Sequence, residues 1–316
     1  MAVATKIITK MAVQLQVGDS FEDNAMQLIP VISGRLKETP TLVEDEAFAG
    51  NAFKDVPQKG TVSVAGSINF QIDAQSLPVI LEACFGNKTG DSYYLGNHNK
   101  KLSVCFYDGV KNTRYANVFI KSLKISGSTN SKLTGDMEVI GVTAEDRAGL
   151  ETFPENVVPY GEFLNFQEMA GLGYFRIGET TLALAEGNNV DVEDLEIDVV
   201  TGFDEQFCNQ RYSLEPVFGM TPPEVSGSFK VARYETDKFI DWKNDMTRLQ
   251  AEFKIQKTPT EYLICRLPMS IIEVDLTDED IIKQDISLTI CRNGIGSSYK
   301  NTHMEFNSPI NIEVTN

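Results

Sequence analysis

With 316 residues, 42% of them hydrophobic and 23% charged, the chain has a globular composition and is long enough for two cores. A formal net charge of −17 at pH 7 argues against a protein that grips a phosphate backbone, which needs Lys and Arg. The first sixteen residues lack a signal-peptide pattern and no run approaches the ~18 apolar residues of a spanning helix, so a soluble protein made in the cytoplasm is expected.

In chain order, Ala2 to Asn24 reads as an arm with a short strand, because Met11, Val13, Leu15 and Val17 alternate while their surroundings show no pattern. Leu28 to Gly34 reads as a strand, and Pro30 places it at an edge. Residues 36–60 have no sustained periodicity and hold Pro40, Glu44-Asp45-Glu46, Gly50 and Pro57, so they read as a long loop. That loop keeps Leu42, Val43, Phe48 and Phe53, a sign that it packs against something. The strand Thr61 to Gln71 follows, centred on Val64-Ala65-Gly66-Ser67, with the glycine marking a bulge or a close backbone approach. Ser76 to Gly86 predicts a short helix: Ser76 as cap, Pro78 in the first turn, Leu77, Ile80, Leu81 and Cys84 on one face, Gly86 as stop. Residues 86–100 read as a polar loop. Strands are predicted at Leu102 to Tyr107, Tyr115 to Ser126 and Gly135 to Val142, separated by Asp-Gly and Gly-Ser turns.

The pattern breaks between Thr143 and Gly161, which places a boundary there and divides the chain into residues 1–156 and 157–316. A hairpin is predicted over Tyr174 to Ala185, turning at Gly178-Glu179, and a strand over Val190 to Val200. After a loop through Pro216 and Pro223 comes Val225-Ser226-Gly227-Ser228-Phe229, an echo of the Gly66 strand 161 positions later. A helix near Asp237 carrying Phe239, Trp242 and Met246 precedes strands at Leu249 to Gln256, Tyr262 to Val274 and Asp285 to Arg292. Tyr115 with Tyr262 and Asp136 with Asp285 extend the parallel, so a tandem duplication is expected. The fold class expected is mainly β, in two tandem modules each with a short flanking α-helix, and the resemblance given below implies that each module is a β-barrel or sandwich.

The acidic excess is uneven. Residues 1–155 hold 15 Lys and Arg against 18 Asp and Glu, so most of the excess lies beyond them. Along Asp194 to Val199, Leu195, Ile197 and Val199 share one face, and Asp194, Glu196 and Asp198 the other. Glu273 and Asp275 alternate in the same way with Ile272 and Val274. A solvated outer face is the plain reading of each strand; a wall of carboxylates that repels DNA is the functional one.

Nothing in the sequence assembles an enzyme. Gly171-Leu172-Gly173 is followed by Arg176 where a dinucleotide loop needs glycine, and Asp191 to Asp194 lacks the spacing of a calcium loop. The acidic pairs Glu44 to Glu46 and Asp278 to Asp280 have no nucleophile near them. The five cysteines are scattered in apolar runs, which reads as core thiols, and the two histidines, His98 and His303, are isolated. No metal or cofactor is expected.

The module of strand, long loop, glycine-containing strand, short helix and further strands resembles the tail tube proteins of bacteriophages, related to type VI secretion and pyocin tubes. The likeness is carried by the acidic-to-glycine loop Glu44 to Gly60, by Val64-Ala65-Gly66-Ser67, by the helix Ser76 to Gly86, and by Glu224 to Phe229 with the helix near Asp237. It implies a virion tail component assembled in the host cytoplasm, a homo-oligomer stacked into a tube with other tail proteins, and DNA passing through without specific binding. Two modules per chain would let three chains form a six-module ring; six chains with one module lining the channel is the other arrangement. The resemblance makes Leu42, Glu44, Phe48 and Phe53 candidates for contact between rings, and Asp194, Glu196, Asp198, Glu273 and Asp275 candidates for the lumen. A tandem β-sandwich lectin or adhesin, using Tyr93, Tyr94 and His98, is the alternative. A sliding clamp would need a basic inner surface that the sequence scarcely has.

Overall fold

Alternation of apolar and polar residues builds this molecule, because a strand with one apolar face must bury that face against another layer. The computed structural model describes residues 9–43, 58–96, 100–107, 112–145, 153–166, 173–180, 184, 188–204, 217–218, 223–231, 237–258, 260–276, 284–290 and 308–315. Up to residue 158 these form β1 (Lys10–Leu15), β2 (Met26–Ile29), β3 (Val31–Val43), β4 (Gln58–Gln71), α1 (Leu77–Phe85), β5 (Gly86–Thr89), β6 (Ser92–Leu95), β7 (Leu102–Tyr107), β8 (Asn112–Ser128), β9 (Thr134–Glu145) and β10 (Val157–Val158). Then come β11 (Tyr174–Glu179), β12 (Val192–Val200), β13 (Phe203–Asp204), β14 (Val217–Phe218), β15 (Glu224–Val231), α2 (Lys238–Asn244), β16 (Leu249–Thr258), β17 (Glu261–Leu276), β18 (Gln284–Ile290) and β19 (Asn311–Thr315). The protein is mainly β, with 17 of the strands in one sheet and β13 with β14 in a separate pair.

Pairing follows one order twice. In the first half β3, β4, β9, β8, β7 and β1 are antiparallel neighbours in that sequence. In the second, β12, β15, β18, β17, β16 and β11 are neighbours in the same way. Gly66 of β4 lies opposite Leu36 and Val139. Gly227 of β15 lies opposite Ile197 and Leu288. The two halves meet through β12, whose other edge pairs with the C-terminal half of β8. A single apolar cluster spans both halves, taking in Ile68 and Val139 from the first, Ile197 and Leu288 from the second, and Leu77, Ile80 and Leu81 of α1. Each such side chain contributes about 1.5–3 kcal/mol on full burial.

Several local expectations change. The opening segment is no loose arm over Lys10–Leu15: β1 lies between β2 and β7 with Met11, Ala12 and Val13 fully buried. Pro30 separates β2 from β3 and makes neither pairing impossible; β2 has β1 and β10 on its flanks. The span 36–60 is not all loop, since β3 runs to Val43 and pairs with β4 from Gln58. Ser76 makes no side-chain cap on α1. Buried Asp73 serves instead, its Oδ1 accepting the N–H groups of Gln75, Ser76 and Gly161 at 3.0, 2.9 and 2.8 Å, and its Oδ2 the Ser76 hydroxyl. Met246 lies outside α2, at φ 49° and exposed, while Phe239 and Trp242 are buried. Gly178 and Glu179 are not a turn: β11 continues through them, paired with Gln250 and Leu249 of β16.

The polar stretch after α1 is a hairpin, β5 with β6, and β6 pairs with the C-terminal strand β19, which in turn pairs with β17. A buried ionic cluster secures β19. Arg266 donates from Nε to Glu252 (2.9 Å) and from Nη1 to Glu313 and Asn311 (both 2.8 Å), while the Tyr174 and Tyr262 hydroxyls donate to Glu252 (2.6 Å) and Glu313 (2.7 Å). Burial works against the Arg266 charge, but the Glu313 and Glu252 carboxylates outweigh it and raise its pKa above the ordinary value. Cys84, Cys105 and Cys265 are buried free thiols, and burial pushes all three pKa values up, that of Cys105 to about 11. Cys208 and Cys291 lie outside the described residues. Among the described residues no helix is long and apolar enough to cross a membrane.

Candidate assembly surface

Strands β3, β4, β9, β8, β12, β15, β18 and β17 form a continuous sheet that runs across both halves. Residues directly opposite across an antiparallel ladder share a face. One row, Gly135, Ile125, Ile197, Gly227, Leu288 and Ile272, is buried. The neighbouring row, Thr134, Ser126, Glu196, Ser228, Ser287 and Glu273, is polar and open to solvent along its length. This polar face is concave where β8, β9, β12, β15 and β18 meet, around a cavity of about 630 Å³ lined by Ser126, Thr134, Glu196, Ser228 and Ser287 among others.

All five acidic candidates, Asp194, Glu196, Asp198, Glu273 and Asp275, therefore lie on one face of one sheet. Asp285 joins them, opposite Asp275 and 4.0 Å from Lys230. The first half offers a different mixture: Asp136 and Glu138 on β9 accompany Lys124 on β8 and Arg35 and Lys37 on β3. Ser67 donates to Asp136 (2.8 Å), and Lys121 lies 3.6 Å from Glu138. Among the described residues this surface is hydroxyl-rich and acidic toward one side, a charge that opposes phosphates.

At the junction of the halves Asp198 stands opposite Lys124, and the Lys124 ammonium turns to Glu196, 2.7 Å away. Burial raises the Asp198 pKa; Glu196 and Asp136 add to the rise, and Lys124 opposes it without reversing it. Side chains clamp both ends of the junction. Buried Thr201 places its hydroxyl 2.8 Å from the Ile120 carbonyl and 2.9 Å from that of Lys121. At the far end Thr129 donates to the Glu193 carbonyl through its N–H (2.8 Å) and hydroxyl (3.0 Å).

The sheet has two outer edges. Beyond its pairing with β4, the other edge of β3 has no strand partner among the described residues, and Ile32 to Arg35 and Lys37 to Thr39 are exposed along it. At the opposite end, Ser270 of β17 pairs with both Leu249 of β16 and Ile290 of β18, so these flank it on opposite edges. Past Ser270 β17 pairs with β18, and the Lys243 ammonium of α2 donates to its Val274 carbonyl at 3.0 Å.

Strand β4 pairs with β9 only from Val64 on, so Thr39–Val43 and Gln58–Ser63 part from β9, which continues to Glu145 beside β8, and form a two-stranded arm. At about 3.3 Å per residue the arm reaches some ~17 Å beyond the last β9 pair. Leu42 lies in it, opposite Lys59. Glu44, Phe48 and Phe53 are outside the described residues. Tyr93 and Tyr94, the aromatics of the lectin reading, are 1% and 5% exposed and belong to packed β6, so they present no binding platform; His98 is outside the described residues. Sequence reasoning missed Asp73 and the Arg266 cluster, because the partners of each lie 45 or more residues away in several cases, as with Asn311 and Gly161.

The family model described as phage tail tube protein matches residues 7–290, which includes every strand of this face. Comparison with curated proteins finds no match.

Proposed function

The chain belongs to the phage tail tube protein family, a structural component of the virion tail, and from that premise we propose that its copies close into rings that stack into a tube with an acidic lumen. The concave polar face lines that lumen, and DNA moves through it passively during ejection. Duplex DNA carries one charge per ~1.7 Å of axis, so a wall bearing Asp194, Glu196, Asp198, Glu273 and Asp275 repels it on balance. Assembly takes place in the host cytoplasm, with other tail proteins as partners.

The observation that carries this reading is the junction of β12 with β8. One chain holds a junction between two similarly ordered sets of strands. Two modules per chain, 1–156 and 157–316 in sequence, account for the recurring order, although residues 157–166 pack on the first half through the Gln27 contacts to Val158 and Pro159 and through Asp73. Both halves contribute strands to the same face, which favours three chains per six-module ring over six chains of which one module each lines the channel. Heterologous contacts of this kind generate closed rings when the rotation permits. The arm formed by β3 and β4, with Leu42 on it and Glu44, Phe48 and Phe53 in the segment it carries, reaches the next ring.

Electron microscopy of the purified protein tests this. Six-lobed rings and tubes are expected, and a dispersed monomer at all concentrations would overturn the reading. Replacing residues 44–57 with a short turn is expected to leave rings and abolish tubes; tubes of normal length from that variant would remove the arm from the mechanism.

A further inference from the structure

We infer that duplex DNA in the bore runs along the first half of each chain and avoids the second, because the polar face of the sheet is divided into two sectors of opposite charge. The inference deepens the DNA path proposed above and rests on it. Residues directly opposite across a ladder share a face. Arg35 and Lys37 of β3 therefore stand on the polar face, in line with Ser67 and Ala65 of β4 and with Glu138 and Ile140 of β9. On the next row Asp136 of β9 lies opposite Lys124 of β8, and Lys121, at the irregularity of β8, reaches Glu138 at 3.6 Å. From its strands the first half thus brings four cations to this face, against the carboxylates of Asp136 and Glu138. Across the junction the ratio inverts. Glu224 and Asp285 join the five acidic candidates, and Lys230 is the one cation on this face among the described residues of β12, β15, β18 and β17.

Screening decides whether a duplex feels the two sectors separately or only their sum. Four strands at ~4.8 Å spacing make each sector about 19 Å wide, whereas charges are screened over ~8 Å at physiological ionic strength. The sectors therefore do not average. Surface potentials vary by several kT across a protein, and a difference of ~2 kT is about sevenfold in the local density of phosphates. Within the first sector Lys124 turns to Glu196 at 2.7 Å and Lys121 to Glu138, while Arg35 and Lys37 occupy exposed positions on β3. Cations interspersed with carboxylates meet phosphates without reading sequence, so the duplex keeps its freedom to slide. In the three-chain ring proposed above the sectors alternate around the bore, which gives the duplex three equivalent tracks.

The test uses the full chain as a dispersed subunit, so that it does not depend on assembly. A benzophenone amino acid takes the place of Ser67 in one variant and of Ser287 in another, two exposed serines of the same face, one in each sector. Each variant is irradiated with a short labelled DNA duplex at physiological ionic strength, and circular dichroism checks that it is folded. Crosslinking from position 67 is expected to exceed that from position 287 at least about fivefold. The difference is expected to vanish in ~1 M salt, where the screening length falls to ~3 Å. Adding R35Q/K37Q is expected to lower the yield from position 67 at least about threefold. Equal yields at physiological salt, a higher yield from position 287, no crosslinks from either, a preference that survives high salt, or a yield from position 67 indifferent to R35Q/K37Q would each overturn the inference. Electron microscopy of the unsubstituted protein separates the two readings: a chain that never forms rings sinks the tube, whereas rings together with equal crosslinking sink only the DNA track.

Discussion

At Gly66 an added Cβ would come within 2.2 Å of the Arg35 carbonyl oxygen, whereas at Gly227, the matching place in the second half, the nearest atom is the Glu196 carbonyl oxygen at 3.3 Å. No bulge lies at either glycine; the irregularities of the β3–β4 pair are at Val31/Ser33 and Pro40/Leu42. The first half is tighter because Gly34, at φ 127°, lets β3 and β4 approach, and its own added Cβ would sit 2.3 Å from the Ser67 carbonyl oxygen. In the second half Leu195, a residue with a side chain, holds the position of Gly34. The same order of strands is thus held in two ways. The first relies on close backbone contact, the second on side chains, including the ionic cluster of Arg266.

The largest expected effect breaks the second half alone. Replacing Arg266 with Met leaves Glu252 and Glu313 without their shared cation, and a loss of about 3–5 kcal/mol is expected in urea unfolding. The glycine pair gives the direct contrast. Gly66→Ala is expected to cost about 1–3 kcal/mol, since the obstructing atom belongs to the backbone. Gly227→Ala should change stability by less than about 1 kcal/mol, because its neighbours can give and the unfolded chain loses freedom. Equal melting temperatures for the two alanine variants would remove the distinction. The smallest effect lies at the junction: Asp198 has its pKa raised in the folded protein by burial. Between the unfolded value of about 3.9 and that raised value the folded state binds more protons. Its contribution therefore favours the fold below that window and is lost as pH rises through the folded pKa. Asp198→Asn should raise stability slightly at neutral pH and flatten this part of the pH profile; an unchanged profile in thermal scans would exclude Asp198 as its source.

Much of the sheet was legible in the residues themselves. Alternation placed β4, β7, β8, β9, β12, β15, β16, β17 and β18 to within a few residues, and the acidic positions 194, 196 and 198 on a face of their own, because the period of a strand is written directly in its side chains. Elements whose reason to exist lies far away in sequence were hidden. β1 lacks flanking pattern yet is buried between β2 and β7; β6 looks polar at its ends but is held by β19; β19 was not anticipated at all. Nothing local marks Asp73 as a buried acceptor, because its partner Gly161 lies 88 residues further along the chain.

By itself, then, the sequence determined the β character, the two helices, the register marks at Gly66 and Gly227 and the sidedness of the acidic strands, since each depends on local period or on short-range sterics. Only the tertiary structure decided that the two halves share one sheet and that β12 lies against β8. Strand partners are chosen by hydrogen bonds and packing between segments far apart in the chain, and no local pattern records which segment will arrive.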